Sequence, residues 1–284
     1  MTFVLDTDIG TDVDDVLALA VGLGSPELTI AAVTTVYGDV HLRARLAAHT
    51  LATAGVAAPP VVPGIEQPRS GRPVWWAGHE GKHLPASAHL WQPPALDPIG
   101  VLAAAPVVAA IGPLTNLAAA LDRPQHGIGR IAVMGGEFRD GVVEHNMRCD
   151  IAAAEVVFDS GTPLTVVGLD QTERLRITAA TLDRLRNGSA LSSLLETEIR
   201  EFWAFAGQDF NVPHDPIVIV ALARPELFEV RRGRIRIDAD GPSAGRTTFE
   251  PDDAGPHDVV VDFDLDGVAE EITSRLIRAT SLSA

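Results

Sequence analysis

Two hydrophobic periods alternate along the chain. Short β-branched runs at Thr2–Leu5, Leu28–Val36, Val107–Ile111, Arg130–Met134 and Leu164–Leu169 read as strands. Between them, Ala- and Leu-rich stretches at Asp14–Leu23, Leu42–Ala54, Leu114–Leu121, Ile151–Asp159 and Leu182–Leu185 carry helical patterns. Strand-then-helix alternation predicts an α/β fold, with a mostly parallel, Rossmann-like central sheet flanked by helices on both faces. In such sheets, sites form beyond the carboxyl ends of the strands.

From Leu191 the pattern changes to a long helix ending near Phe205, then a second opening at Asp215-Pro216 and ending near Ala223. Arg231–Ala239, Gly245–Glu250 and Asp258–Phe263 predict a small antiparallel addition near the C-terminus, before a final helix over Val268–Arg278. The stretch Pro59–Pro98 is irregular and holds Trp75, Trp76, His79, Lys82, His83, His89 and Trp91. A loop of that length is usually functional or mobile. With no linker-like stretch and no internal repeat, residues 1–284 read as one domain.

Composition narrows the function. A net charge of −16 repels nucleic acid and anionic membrane surfaces at long range, and disfavours a polyanionic substrate. Cys149 is the single cysteine, which rules out an intramolecular disulfide and a Cys-rich zinc site and points to a reducing, cytoplasmic home. Met1 leads straight into Phe3-Val4-Leu5 and Asp6, unlike a signal peptide. The most apolar region, Val101–Leu121, is broken by Pro106, Gly112 and Pro113, so no membrane span is expected.

The densest chemistry is Asp6-Thr7-Asp8-Ile9-Gly10-Thr11-Asp12-Val13-Asp14-Asp15, five carboxylates in ten residues where the first strand ends and a helix begins. No neighbouring Lys or Arg compensates them. A helix N-terminus offers only about 0.3–1 kcal/mol per exposed charge. Either several stay in water as caps, or a hard cation such as Ca²⁺ or Mg²⁺ neutralises them. The place, at the carboxyl end of the first strand with Gly10 allowing the turn, favours the cation. Asp6-x-Asp8-x-Gly10-Thr11 also shares a pattern with haloacid-dehalogenase-type phosphatases, but those use a downstream lysine, and the single lysine, Lys82, lies in the wrong kind of segment. No P-loop run is present.

At this loop the chain resembles the inosine-uridine-preferring nucleoside hydrolase family, whose first-strand signature is Asp-x-Asp-Pro-Gly-x-Asp-Asp. Here the loop is two residues longer and Ile9 replaces Pro. Four more segments follow in order. Val36-Tyr37-Gly38-Asp39 resembles the second-strand Gly-Asn corner, with Asp39 where Asn is common. Ile111-Gly112-Pro113-Leu114-Thr115-Asn116 resembles a Thr-Gly-Pro-Leu-Thr-Asn segment. Met134-Gly135-Gly136, then Glu144-His145-Asn146 and Asp150, resemble the Met-Gly-Gly and Glu-x-Asn parts, with a short loop from Glu137 to Val143. His214-Asp215-Pro216 resembles the late His-Asp-Pro step.

The resemblance implies a calcium-dependent N-ribohydrolase. Its Ca²⁺ ligands are then Asp8, Asp15, Asp215 and the Ile111 carbonyl, and Asp8 is also the general base for the attacking water. Asp14 and Asn146 bind ribose hydroxyls and Glu144 the 5′-hydroxyl, while Asp39, Met134 and His79 complete the substrate site. His214 is the acid for the leaving base, with His79 and His83 as rivals. The transition state resembles an oxocarbenium ion. Homodimer or homotetramer assembly is also implied. Trp203, Phe205 and Phe210 are candidates for base stacking, and Trp75 and Trp76 for a lid, with core packing the competing role. The alternating arginines from Arg231 to Arg236 read as a solvated edge or subunit contact. The competing functions are a metal-dependent phosphatase and a non-catalytic nucleoside- or ribose-binding protein.

Overall fold

The computed structural model describes residues 1–282, so Ser283 and Ala284 of the expected domain lie outside the described residues. In chain order the elements are β1 (Thr2–Thr7), α1 (Asp14–Leu23), β2 (Thr29–Thr35), α2 (Val40–Thr53), β3 (Val61–Pro63), α3 (Pro98–Ala103), β4 (Val107–Ala110) and α4 (Thr115–Leu121). Then come β5 (Arg130–Met134), α5 (His145–Cys149), α6 (Ile151–Asp159), β6 (Leu164–Val167), α7 (Leu169–Thr172), α8 (Ala179–Leu185), α9 (Ala190–Ala206) and α10 (His214–Ala223). The chain closes with β7 (Phe228–Ile237), β8 (Thr247–Pro251), β9 (His257–Phe263) and α11 (Leu265–Thr280).

The strands form one sheet in the order β3-β2-β1-β4-β5-β6-β9-β7-β8 among the described residues. From β3 to β9 every pairing is parallel. Alternate residues of each central strand feed opposite cores: Phe3 and Leu5 of β1 and Ala132 and Met134 of β5 meet helices α1, α2 and α8 to α11 on one face. Val4, Ile131 and Val133 meet α3, α4 and α6 on the other. Burial on both faces is why these strands read as nearly continuous apolar runs. A fully buried side chain such as Leu17 of α1 contributes about 1.5–3 kcal/mol by leaving water.

The expected antiparallel addition is present, β7 against β9 and β8 against β7, and β9 also joins the parallel sheet through β6. Two expectations are corrected. The irregular stretch holds a short strand, β3, and a 3₁₀ turn at Ala86–Leu90, both too brief to show a period. β1 runs on to Thr7, because Asp6 pairs with Thr34 and Ala110 in the ladder despite its charge. The arginines of β7 face carboxylates, Arg232 with Asp258, Arg234 with Asp252 and Arg236 with Glu250. Among the described residues no helix is long and apolar enough to cross a membrane.

Candidate active site

Strand order reverses between β1 and β4, which opens a crevice at their carboxyl ends. Asp8 follows β1 there, and Ile111 follows β4. Gly112 lets the two approach: a Cβ on it would lie 2.7 Å from Asp8 Oδ1 and 2.9 Å from Asp8 N. Gly10, at φ +119, turns the loop back toward α1. Beneath it, the Asn116 amide donates to Asp6 Oδ1 (2.8 Å) and to Thr35 O (3.0 Å) and accepts from Ile65 N (2.8 Å), bracing the ends of β1 and β2. Burial pushes the Asp6 carboxyl up to about 7, opposed by the Thr34 hydroxyl and the Asn116 amide.

Two helix N-termini converge on this crevice. α1 brings Asp14 and Asp15 in its first turn, and α10 brings Asp215. A carboxylate oxygen from each lies within 4.8 Å of the other two, and all three residues are buried. Burial first, and then repulsion from the neighbouring carboxylates, holds all three carboxyls well above the usual range. For Asp15, the Thr7 hydroxyl and Arg43 pull the other way. Two helix dipoles help by roughly 0.3–2 kcal/mol each, which is small against the desolvation of three charges. An all-oxygen donor set of this charge fits a hard divalent cation.

The cluster opens into a cavity of about 410 Å³ that Asp8, Asp14, Asp15, Ile111, Met134, Glu144, Asn146, His214 and Asp215 all line. Nine of the residues read from the sequence thus share one cavity, although the chain separates the first and last by some two hundred positions. The tightest group differs from the expected ligand set: it holds Asp14 beside Asp15 and Asp215, while Asp8 stands apart, near Arg43. Asn146 Nδ2 donates to Ile111 O (3.1 Å) and Met134 O (3.3 Å), tying β4 to β5. Both Glu144 oxygens accept backbone N–H groups, from Asn146 (2.8 Å), Met147 (3.1 Å) and Gly136 (3.1 Å), so this side chain caps α5 while it faces the cavity.

Two expected substrate residues lie elsewhere. Asp39 is exposed and does not line the cavity; its carboxylate accepts from Leu42 N (2.8 Å) as the N-cap of α2. His79 lines a neighbouring cavity, its Nε2 2.8 Å from Thr11 O and its ring 4.0 Å from that of Phe205. His214 is held differently from an acid poised at neutral pH. Burial, and secondarily Arg176, bring it down to about 4. Its Nδ1 lies 2.7 Å from Thr172 Oγ1, whose proton Leu169 O can take at 3.2 Å. The imidazole then donates from Nδ1, leaving Nε2 as an acceptor.

Some residues have no counterpart in the sequence reading. Arg43 of α2 is 1% exposed and lies 4.0 Å from Asp8 Oδ2, correcting the view that no basic group meets the loop. Its guanidinium donates to Tyr37 O (2.7 Å) and Ile9 O (3.0 Å), and sits 4.9 Å from the Trp76 ring. Glu80 accepts from Thr11 Oγ1 (3.2 Å), Ala77 N and Gly78 N, fastening the irregular stretch to the acidic loop. The signal missed was an arginine on the Ala44-Ala47-Leu51 side of α2, the buried side. Of the aromatics, Trp203 is core, with Nε1 on Asn211 Oδ1 (3.1 Å), whereas Trp75, Phe202 and Phe205 line the cavity.

Fold and site together place a cluster of buried carboxylates at the switch point of the parallel sheet of an α/β protein. Residues 3–270 match the family described as inosine-uridine preferring nucleoside hydrolase, and the chain belongs to that family. Uridine nucleosidase 1 of Arabidopsis thaliana is 29% identical over 97% of this chain and 93% of its own. The pyrimidine-specific ribonucleoside hydrolase RihA of Photobacterium profundum is 33% identical over 84% of each chain. A solved structure titled plant nucleoside hydrolase, PpNRh1 enzyme, superposes with a TM-score of 0.84 at 28% identity, over 97% of this chain and 98% of that one. The protein is a hydrolase of N-glycosyl bonds that releases ribose and base from ribonucleosides. Neither the phosphatase nor the non-catalytic reading is favoured.

Proposed function

We propose that the hydrolysis depends on Ca²⁺, held by Asp15 and Asp215 with Asp8 and the Ile111 carbonyl, while Asp14 and Asn146 engage the ribose hydroxyls. The observation that carries this is the convergence of three buried carboxylates from two helices inside one cavity. When bound, such an ion acidifies water and grips a cis-diol. Asp8 takes the proton of the attacking water, a role worth about 10²–10⁴-fold. Ionised carboxylates around the sugar stabilise positive charge as it develops on the ring. Glu144 and Met134 border the sugar. His214 is the imidazole that meets the leaving base, and its burial makes proton delivery the demanding step.

Uridine is the first substrate to test, because both curated relatives are named for pyrimidine nucleosides. Ribose release from a nucleoside panel, followed by reducing-sugar assay with and without chelator, tests the reading. Loss of activity in chelator and return with Ca²⁺ is expected. No ribose from any nucleoside at saturating Ca²⁺ contradicts it. A homodimer or homotetramer is supported by the family resemblance, and light scattering checks it. A cytoplasmic home is supported by the free, buried thiol of Cys149.

A further inference from the structure

We propose that Glu80 is a positioning residue for nucleoside binding, holding residues 75–80 as a strap between two walls of the active-site cavity; this rests on the nucleoside-cleaving reading above. Trp75 lines the cavity and stands edge-on to His145 of α5, ring centroids 5.3 Å apart. His79 meets Phe205 of α9, centroids 4.0 Å apart. His145 and Phe205 line the same cavity, so the chain from Trp75 to His79 connects its α5 wall to its α9 wall.

The two ends are held differently. At the first, Trp75 N donates to the Tyr37 hydroxyl (2.7 Å), and the Trp76 indole packs on Gly38, where a Cβ would lie 2.6 Å from it. At the second the anchor is the buried Glu80 carboxylate. Its Oε1 accepts from Thr11 Oγ1 (3.2 Å) and Ala77 N (2.9 Å), and its Oε2 from Gly78 N (2.7 Å). Burial alone would raise this carboxyl; the backbone N–H groups and the Thr11 hydroxyl outweigh it, so the group lies below its ordinary value and stays ionised. A buried charge persists only where donors satisfy it. Here two donors belong to the strap itself and the third to the acidic loop.

Thr11 is the seat of this anchor. Its backbone carbonyl accepts from His79 Nε2 (2.8 Å), and its hydroxyl accepts from Arg43 Nη1 and Nη2 (3.4 Å each) while donating to Glu80. Arg43 is the residue beside Asp8, so the strap and Asp8 share one support. Thr11 lies in the acidic loop that is two residues longer than the family signature, and it lines the cavity itself. The longer loop thus carries a fastening point for the strap. Trp75 and the Phe205 that His79 steadies border the nucleoside before and during cleavage, whereas the carboxylates act on the bond. Loosening the strap therefore weakens ground state and transition state alike, which raises KM and spares kcat.

The test measures kcat and KM for uridine and inosine on the Ca²⁺-supplied enzyme. Glu80→Ala should raise KM about tenfold with kcat within about threefold of the parent. Glu80→Gln, which gives up one of the two acceptor oxygens, and Thr11→Val, which removes one of the three donors, should each raise KM about threefold. The double variant of Thr11→Val and Glu80→Ala should be no worse than Glu80→Ala alone, because the two residues share one contact. An unchanged KM in Glu80→Ala, a fall in kcat at constant KM, or effects of the two substitutions that multiply would each overturn the proposal. If the parent releases no ribose, the function reading has failed instead, and amide hydrogen exchange decides the strap. Glu80→Ala should then speed exchange at Ala77 and Gly78 by about tenfold or more and leave Trp75, tied to Tyr37, at the parent's rate. Equal exchange at Ala77 and Gly78 in the two proteins removes Glu80 from this role.

Discussion

The Arg43 guanidinium stands 4.0 Å from Asp8 Oδ2, and among the described residues this is the one ion pair made by any carboxylate of the acidic loop. Both side chains are buried, and the same guanidinium holds Tyr37 O and Ile9 O. Removing one partner of a buried pair leaves the other charge and the carbonyls unpaired. Arg43→Met should therefore lower unfolding free energy by about 3 kcal/mol in denaturant titrations. Arg43→Lys should recover only part, because an ammonium cannot span the two carbonyls.

Asp8, the general base of the proposed mechanism, follows β1 at the switch point. Asp8→Ala should reduce ribose release by about 10²–10⁴-fold or more while circular dichroism remains that of the parent. Turnover close to the parent's contradicts the role.

Chelation should expose the repulsion within the Asp14, Asp15 and Asp215 cluster. An ion present at about a hundred times its Kd stabilises the fold by about 2.7 kcal/mol. The Tm should therefore fall on chelation and return with Ca²⁺. Asp215→Asn should flatten that response, and an unchanged response in the variant would remove Asp215 from the ligand set.

His214→Ala should slow natural nucleosides far more than an activated nitrophenyl riboside, which leaves without a proton. An equal loss on both substrates would show that His214 positions the substrate and transfers no proton.

Acid sensitivity should trace in part to His257. Its Nε2 donates to Phe158 O (2.9 Å), its Nδ1 is buried without a partner among the described residues, and burial lowers its pKa below the ordinary 6.5. The unfolded chain takes up this proton first. The stabilising contribution is thus complete above about pH 6.5 and is lost as pH falls through the lower folded value. His257→Gln, which keeps the donor to Phe158, should show a smaller stability difference between pH 7.5 and 5.5 in denaturant titrations.

Much of this was legible in one dimension. The β-branched runs gave the central strands within a few residues, and α6 and β5 with the same limits, because a strand buried on both faces must be apolar throughout. The strand β3 and the short helices α3, α5 and α7 escaped, since three to six residues carry no measurable period. Asp39 was misplaced because a cap and a substrate ligand ask for the same oxygen, and only the position of Leu42 N distinguishes them. His214 lines the cavity, but its lowered pKa depends on burial and on Arg176, thirty-eight positions away.

By itself the sequence determined which residue types carry the chemistry and where the chain changes direction: a run of carboxylates after the first strand, a glycine after β4, an aspartate opening a late helix. Local propensity and period are properties of neighbours in the chain, and these were enough for that. The tertiary structure alone decided that Asp14, Asp15 and Asp215 share one cluster, that Arg43 reaches Asp8, and that Glu80 reaches Thr11. Those distances follow from how the sheet twists and the helices pack, and charge interacts through space.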